Sequence, residues 1–263
     1  MAKTRANGIE FNYDISGREG APWITFSNSL GTNIHMWDEQ ADLLAGDWRV
    51  LRYDQRGHGG TEVSPGPYDF EQLTADVVAL WDALGIRQSV FCGLSMGGIT
   101  GIGLVLNHAD RVRAFIGADC RCDSPPGFRE AWDERIAQAK EFGMEGMTDR
   151  TVNRWFTERF RKASPAVIDK VKQMIRTTPQ AGFIASCQAL QNIEYRARLP
   201  EITVPTMYCC GEEDGAANPD YMRPMHETTP GSKFEAIEDA GHISNMENPP
   251  RFNAIMTGFL ESL

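Results

Sequence analysis

The sequence has no run of about 18 to 20 apolar residues, the length that a membrane-spanning helix needs. Its 263 residues are 41% hydrophobic and 24% charged, which are ordinary values for a globular domain and exclude a disordered or collagen-like chain. The segment Met1–Gly8 has no apolar stretch behind its basic residues, so it does not resemble a secretory signal. We therefore expect a globular, cytoplasmic protein with no membrane partner.

Basic residues are in the minority. The chain has 26 Lys and Arg against 36 Asp and Glu, and its net charge of −10 opposes binding to nucleic acid phosphates. The six cysteines show neither the spacing of a disulfide framework nor paired C-x-x-C zinc motifs. No pair among the five histidines has metal-ligand spacing with a third donor. We expect free thiols, no nucleic acid partner, no metal and no cofactor.

Short β-branched or aromatic runs alternate with helical patterns over the first part of the chain, which is typical of an α/β protein with a mostly parallel sheet. The predicted strands are 10–15, 23–27, 48–53, 89–92, 114–118, 204–210 and 233–237. The predicted helices outside the middle of the chain are 70–84, 96–107 and about 249–260. The helix over 96–107 is rich in glycine and apolar residues, so we expect it to be the most buried helix.

A helical insertion interrupts this pattern. Composition changes at Ser124-Pro125-Pro126-Gly127, and the pattern is then helical until about Asn192. We predict a helical cap over residues 125–192, inserted into a core made of 1–124 and 193–263. The cap has a net charge of +3 and the remainder has −13. A positive surface would concentrate an acidic substrate. The plainer interpretation is that most of these charges lie on solvated helix faces.

The segment Gly93-Leu94-Ser95-Met96-Gly97 matches the pattern G-x-S-x-G. It directly follows an apolar predicted strand and directly precedes a predicted helix, which is the setting of a nucleophile elbow. The flanking glycines allow close backbone approach while Ser95 is held in a strained conformation with its hydroxyl exposed. Ser95 is therefore the candidate nucleophile; the alternative is an ordinary loop that joins a strand to a helix.

A serine nucleophile needs a histidine to accept its proton and a carboxylate to orient that histidine. His242 lies between the last predicted strand and the last helix, at the carboxyl end of the sheet where Ser95 is also expected. Asp214 follows the predicted strand 204–210 on the same rim. The order Ser, Asp, His along the chain is the one that this type of fold uses. We predict His242 as the base and Asp214 as the orienting acid.

Other acids and histidines compete for these roles. Glu212 and Glu213 are rivals of Asp214, and Asp239 is a weaker one because it is too close in sequence to His242. His58 lies in a glycine-rich turn, where an imidazole can bind loop carbonyls. The remaining histidines fall in helical or surface stretches, and we interpret them as structural: His35, His108 and His226.

Acyl transfer also needs donors for the oxyanion that develops on the attacked carbonyl group. The residue after the nucleophile supplies one, here the backbone N–H of Met96. The second is expected from the loop after an early strand, which points to the Leu30 N–H in Ser27-Asn28-Ser29-Leu30-Gly31-Thr32. An ordinary polar loop is the alternative.

Several segments resemble the α/β-hydrolase superfamily, and together they span nearly the whole chain. They are the elbow, the turn R-Y-D-Q-R-G-H-G at 52–59, G-E-E-D at 211–214 and G-H-I-S-N-M-E-N-P at 241–249. Four shorter segments resemble 3-oxoadipate enol-lactonases: residues 27–32, Trp132 with Arg135-Ile136, Arg154-Trp155-Phe156 and residues 242–245. The resemblance implies an α/β-hydrolase fold, a mostly parallel sheet flanked by helices with a helical cap insertion. It also implies lactone hydrolysis by a Ser, His, Asp triad beneath the cap.

The leading hypothesis is a serine hydrolase that cleaves a carboxylic ester or lactone through an acyl-enzyme, most like 3-oxoadipate enol-lactonase. Trp132 and Arg135 fall one helical turn apart, so an apolar plate and a carboxylate partner can face the substrate together. The alternatives are a general carboxylesterase, or a perhydrolase or carbon–carbon bond hydrolase with the same triad. A ligand receptor that keeps the triad is a further alternative. Ser95 excludes a haloalkane dehalogenase, which needs Asp at the elbow.

Overall fold

One eight-stranded sheet runs through the computed structural model, which describes residues 1–263. Its strands are β1 Ala2–Ala6, β2 Ile9–Gly17, β3 Trp23–Ser27, β4 Arg49–Tyr53, β5 Ser89–Leu94, β6 Val112–Ala118, β7 Thr206–Gly211 and β8 Lys233–Ile237. Their order is β1-β2-β4-β3-β5-β6-β7-β8. The pairs β1–β2 and β2–β4 are antiparallel, and all the other pairs are parallel. The predicted α/β fold with a mostly parallel sheet is confirmed.

Ten α-helices flank or extend this sheet: α1 Asp38–Leu44, α2 Phe70–Ala83, α3 Met96–Asn107, α4 Phe128–Trp155, α5 Glu158–Ala163, α6 Pro165–Thr177, α7 Gln180–Leu190, α8 Pro219–Thr228, α9 Ser244–Glu247 and α10 Pro249–Glu261. Short 3-10 helices cover Ile34–Trp37, Ala109–Arg111 and Arg196–Glu201. All seven predicted strands are present, with ends within two residues of the prediction. The three predicted helices outside the cap correspond to α2, α3 and α10 within one residue at each end.

Helix α3 packs on β5 and β6 at the centre of the sheet. Every residue from Met96 to Val105 is buried, as predicted from its small and apolar residues. This packing places the first turn of α3 directly behind the carboxyl end of β5. Strands β3, β5, β6, β7 and β8 all run in the same direction. The loops that follow them therefore lie at one edge of the sheet, the edge formed by the carboxyl ends of the strands.

One strand and three α-helices were not predicted from the sequence. Strand β1 has mostly exposed side chains and therefore little hydrophobic pattern. Its signal is Asn7-Gly8, where both residues have positive φ (42° and 81°), the conformation of a tight hairpin turn into β2. Helices α1, α8 and the four-residue α9 were also not predicted, although Pro219 at the start of α8 is a usual first residue of a helix.

The segment 125–192, called the cap below, contains helices α4–α7 and no strand. Its two connections to the core run side by side. Asp123 and Glu194 form an isolated antiparallel bridge, and the Ser124 N–H donates to the Ile193 carbonyl at 3.1 Å. Helix α4 packs against α6 and α7, and it is kinked at Gly143, where φ is 64° and ψ is −179°.

None of the helices combines the length and the apolar character that crossing a membrane would need. The six cysteines are all buried, and none forms a disulfide.

Candidate active site

Ser95 lies in the tight turn between β5 and α3. Its φ of 55° and ψ of −115° are unusual for a residue with a side chain, and such strain is typical of a nucleophile elbow. A Cβ added at Gly93 would lie 2.2 Å from the Gly97 carbonyl oxygen, and one added at Gly97 would lie 2.2 Å from the Ser27 carbonyl oxygen. Both glycines of the motif are therefore required by close backbone contacts that hold the turn in place.

His242 reaches Ser95 from the loop between β8 and α9. Its Nε2 lies 2.9 Å from Ser95 Oγ, a hydrogen-bonding distance over which the serine proton can move. The ring is almost completely buried. Burial lowers the pKa of His242, but the charge of Asp214 and its hydrogen bond raise the pKa more, and the net result is a pKa above the ordinary 6.5.

Asp214 contacts the other ring nitrogen of that histidine. His242 Nδ1 donates to Asp214 Oδ2 at 2.8 Å, and Asp214 Oδ1 accepts from the Ala216 N–H at 2.7 Å. The carboxylate is buried in the loop after β7. The hydrogen bond fixes the tautomer that leaves Nε2 free to accept the serine proton.

The rival acids point elsewhere. Arg159 pairs with Glu213 at 2.5 Å and with Asp239 at 3.0 Å, and both carboxylates are largely exposed to solvent. Glu212 is exposed and makes no side-chain hydrogen bond. None of the three forms a hydrogen bond with His242, whereas Asp214 does.

Two backbone N–H groups at this end of the sheet are candidates for binding an oxyanion. Met96 is the first residue of α3, where an N–H has no acceptor within the helix. The Leu30 N–H donates to no acceptor in the protein, and Leu30 lines the same pocket as Ser95. The Asn28 carbonyl accepts from the Gly97 N–H at 3.0 Å and so ties the Leu30 loop to the elbow. This arrangement can bind an oxyanion next to Ser95 Oγ.

A pocket with about 750 Å³ of empty space, counting its open mouth, lies between the cap and the carboxyl edge of the sheet. Its lining combines apolar and charged side chains: Ser29, Leu30, Ser95, Ile99, Asp119, Arg121, Phe128, Ala131, Trp132, Arg135, Arg154, Trp155, Leu190, Asp214, Ala216 and His242. Both cap residues predicted from the sequence, Trp132 and Arg135, are among them. Six of the seven predicted site residues line this pocket, and the seventh, Met96, is next to Ser95 in the chain.

Arg135 is a buried cation with no carboxylate partner. It is 8% exposed, and its one side-chain hydrogen bond is a long contact of 3.5 Å from Nη2 to Thr151 Oγ1. The guanidinium lies 5.4 Å from the centre of the Trp132 ring, a cation–π distance. Burial lowers the pKa of Arg135 to about 10, so the group stays charged at neutral pH. The indole Nε1 of Trp132 is also buried without an acceptor.

Three charged residues of the pocket were not predicted as site residues: Asp119, Arg121 and Arg154. Asp119 directly follows β6. Its position after a predicted strand could have identified it from the sequence, as the same position did for Asp214. Arg154 lies in the last turn of α4, within the segment Arg154-Trp155-Phe156 that resembles enol-lactonases. Neither Arg121 nor Arg154 forms a salt bridge.

The other histidines lie away from this pocket. His58 is fully buried, with Nδ1 3.1 Å from the Arg56 carbonyl, and burial lowers its pKa to about 4. His35 lies near Asp38, and His226 pairs with Ser232. No group of three or more His, Cys, Asp or Glu side chains is arranged to hold a metal ion.

A strained serine behind the fifth strand of a mostly parallel sheet, with histidine and aspartate on the same rim, is the arrangement of an α/β-hydrolase. The sequence profile of the alpha/beta hydrolase fold family matches residues 22–249. The chain belongs to this family, and the predicted class of enzyme, a hydrolase, follows from it.

Two curated relatives are similar over nearly their whole length. One, 3-oxoadipate enol-lactonase 2 of Acinetobacter baylyi, is 35% identical over 248 residues, covering 94% of this chain and 92% of that protein. Another, 3-oxoadipate enol-lactonase 1 of the same organism, is 33% identical over 260 residues, covering 99% of this chain and 96% of that protein. The predicted resemblance to this group is confirmed.

The crystal structure of the enol-lactonase from Burkholderia xenovorans LB400 is similar to this chain with a TM-score of 0.95. The two sequences are 37% identical, and the match covers 99% of this chain and all of that one. The similarity includes the cap as well as the core, because so little of either chain lies outside the match.

Proposed function

We propose that this protein is a serine hydrolase that opens an enol-lactone bearing a carboxylate, with 3-oxoadipate enol-lactone as its substrate. The observation that carries the proposal is the hydrogen-bonded series Ser95, His242 and Asp214 in the pocket that also holds the unpaired guanidinium of Arg135. The names of the similar proteins, 3-oxoadipate enol-lactonases and an enol-lactonase, support this choice of substrate.

In the first step, Ser95 Oγ attacks the lactone carbonyl carbon while His242 Nε2 accepts the hydroxyl proton. Asp214 stabilises the imidazolium that forms and keeps its ring oriented. The negative charge that develops on the carbonyl oxygen is received by the N–H groups of Leu30 and Met96. Removing one such donor typically raises the barrier by about 2.7 to 4 kcal/mol.

The ring bond then breaks, and His242 returns its proton to the departing enol oxygen. Because the substrate is a lactone, the leaving group stays attached to the acyl chain and remains in the pocket. A water molecule next attacks the acyl-enzyme, with His242 again accepting a proton. His242 then gives that proton to Ser95 Oγ as the ester bond breaks, which restores Ser95 and leaves a new carboxylic acid on the product that ionises to a carboxylate.

The carboxylate of the substrate is assigned to Arg135. A buried charge without a partner is costly, and a bound carboxylate offsets this cost through charge-assisted hydrogen bonds. Trp132 presents an apolar surface beside the guanidinium for the flat ring of the lactone. Arg135 and Ser95 line one pocket, so both ends of a small lactone can be held at once.

The test is a comparison of kcat/KM for 3-oxoadipate enol-lactone and for p-nitrophenyl acetate, a neutral ester. We expect the lactone to be preferred by about 10- to 150-fold, since hydrogen bonds to a charged group contribute about 1.5 to 3 kcal/mol and each 1.4 kcal/mol is a factor of ten. Similar kcat/KM values for the two substrates would indicate a general carboxylesterase. A single burst of p-nitrophenol followed by a stall, with no turnover of the lactone, would indicate a receptor.

A further inference from the structure

Asp119 is a buried acid that the proposed mechanism does not use. It directly follows β6, is fully buried and lines the same pocket as Ser95. Its backbone φ is 45°, in the left-handed region that few residues other than glycine, asparagine and aspartate adopt. A buried carboxyl group on a strained backbone is maintained only when its surroundings hold it there.

The side chain of Asp119 contacts the two loops that carry the acid and the base. Its Oδ1 accepts a hydrogen bond from the Gly211 N–H at 2.8 Å, and its Oδ2 lies 2.5 Å from Ser244 Oγ. Gly211 is the last residue of β7, just before Asp214, and Ser244 begins α9, just after His242. One side chain that follows β6 therefore joins both loops.

Two backbone hydrogen bonds also join these segments directly: the Glu212 N–H donates to the Ile237 carbonyl and the Glu213 N–H donates to the Ala240 carbonyl, both at 2.9 Å. Both bonds lie before Asp214 and before His242 along the chain, whereas Asp119 also holds Ser244, which follows His242. The hydrogen bond between His242 and Asp214 depends on the relative position of the loops, and a misplacement of about 1 Å can cost about 100-fold in rate. Asp119 therefore adds a contact on the far side of His242 to the one that it makes at the end of β7.

We propose that Asp119 is a positioning residue whose two hydrogen bonds hold the Asp214 loop and the His242 loop in register before substrate binds. The inference rests on the roles of Asp214 and His242 in the proposed function. It does not depend on which ester or lactone is the substrate.

Burial and the nearby charge of Asp214 raise the pKa of Asp119 to about 8. Burial thus favours the protonated form, in which a carboxyl group offers one donor and one acceptor. The ionisable groups around it are Asp214, His242 and the buried thiols of Cys120, Cys209 and Cys210. Asparagine offers both a donor and an acceptor and tolerates the left-handed backbone. It is therefore the conservative replacement for Asp119.

The experiment compares Asp119→Asn with Asp119→Gly, using p-nitrophenyl acetate hydrolysis and the downfield NMR signal of the His242 Nδ1 proton. Glycine adopts the backbone conformation without strain but removes both hydrogen bonds. We expect Asp119→Asn to keep kcat within about threefold and Asp119→Gly to lower kcat about 30- to 100-fold, with KM changed less than about threefold. The NMR signal should persist in the asparagine variant and broaden or disappear in the glycine variant.

Thr229→Ala is the matched control, because Thr229 Oγ1 makes buried hydrogen bonds with the Met225 carbonyl and with Tyr208 outside the pocket. It should lower Tm and leave kcat and the NMR signal unchanged. Equal losses of kcat in both Asp119 variants would show that the carboxyl group itself, and not its two hydrogen bonds, is needed, and would overturn the proposal. Wild-type kcat and an unchanged signal in both variants would overturn it as well.

If Asp119→Gly does not fold, Ser244→Ala replaces it, since that change removes only one of the two hydrogen bonds. A lower kcat with a broadened His242 signal then supports the proposal, and wild-type values of both overturn it. The NMR signal reports on the His242–Asp214 pair without turnover. A failure of the proposed substrate therefore leaves this test intact.

Discussion

The main-chain carbonyl of Trp155, the last residue of α4, accepts a hydrogen bond from the backbone N–H of His242 at 2.7 Å. The end of the longest cap helix is thus attached directly to the residue that we assign as the base. The buried carboxylate of Glu247 adds a second attachment, accepting from the Gly241 N–H at 2.8 Å and from the Thr157 N–H at 2.9 Å. The cap and the histidine loop are held as one unit.

Replacing Glu247 should destabilise the protein through this attachment. Glu247→Ala leaves the buried N–H group of Gly241 and the half-buried N–H group of Thr157 without acceptors, and an unpaired buried group costs about 1 to 3 kcal/mol. We expect urea unfolding to show a free energy of unfolding lower by about 2 to 4 kcal/mol. Glu238→Ala, at a largely exposed carboxylate, is the control and should change the value by less than about 0.5 kcal/mol. A similar small change for Glu247→Ala would show that the attachment contributes little.

Ser95→Ala should abolish turnover while the fold persists, because loss of one hydroxyl removes the nucleophile without opening a cavity in the core. We expect kcat for the lactone to fall by about 10³-fold or more, with an unchanged circular dichroism spectrum. His242→Ala should be similarly severe, and the double variant should be little worse than either single one, since the two residues act together. Activity of Ser95→Ala within tenfold of wild type would exclude Ser95 as the nucleophile.

Asp214→Asn should lower kcat by about 10⁴-fold, the size of loss that the same change in a Ser-His-Asp triad causes in serine proteases, because the amide favours the wrong histidine tautomer. Glu213→Gln is the matched control, since its carboxylate pairs with Arg159 at the surface and not with His242. It should leave kcat unchanged. The opposite ranking of the two variants would place the orienting acid at Glu213.

Arg135→Ala should weaken hydrolysis of the carboxylate-bearing lactone by about 1.5 to 3 kcal/mol in kcat/KM and leave the neutral ester largely unaffected. Steady-state kinetics with both substrates measure the difference. Arg159→Ala, which changes an exposed cap arginine outside the pocket, controls for the loss of one positive charge. Equal losses of Arg135→Ala on both substrates would mean that Arg135 supports the cap structurally.

The pH dependence of kcat/KM should report the raised pKa of His242. The base acts in its neutral form, so activity should fall as pH drops through a pKa above the ordinary 6.5. Asp214→Asn removes the charge that stabilises the imidazolium, and the acid limb should move to lower pH in that variant. Initial rates measured from about pH 4 to 9 with both proteins give the two acid limbs. An acid limb that stays in place would assign it to another group.

Much of the fold followed from local pattern. The strands and helices of the core were predictable because their apolar residues recur with the period of the secondary structure. The burial of α3 was predictable from its many small and apolar residues. The edge strand β1 was missed because its side chains are mostly exposed and leave no such period. Helices α1, α8 and α9 are short, and their tertiary contacts rather than their own pattern stabilise them.

By itself, the sequence determined the elbow, because the glycines at 93 and 97 and the strand and helix around Ser95 are neighbours along the chain. It also placed His242 and a group of acids on loops at one edge of the sheet. Tertiary structure decided which acid meets the ring, since Asp214 points inward while Glu213 and Asp239 pair with Arg159. It also decided that Arg135 has no carboxylate partner and that Asp119 joins two loops. These relations connect residues far apart in sequence, so they depend on side-chain directions that only the packed sheet and cap define.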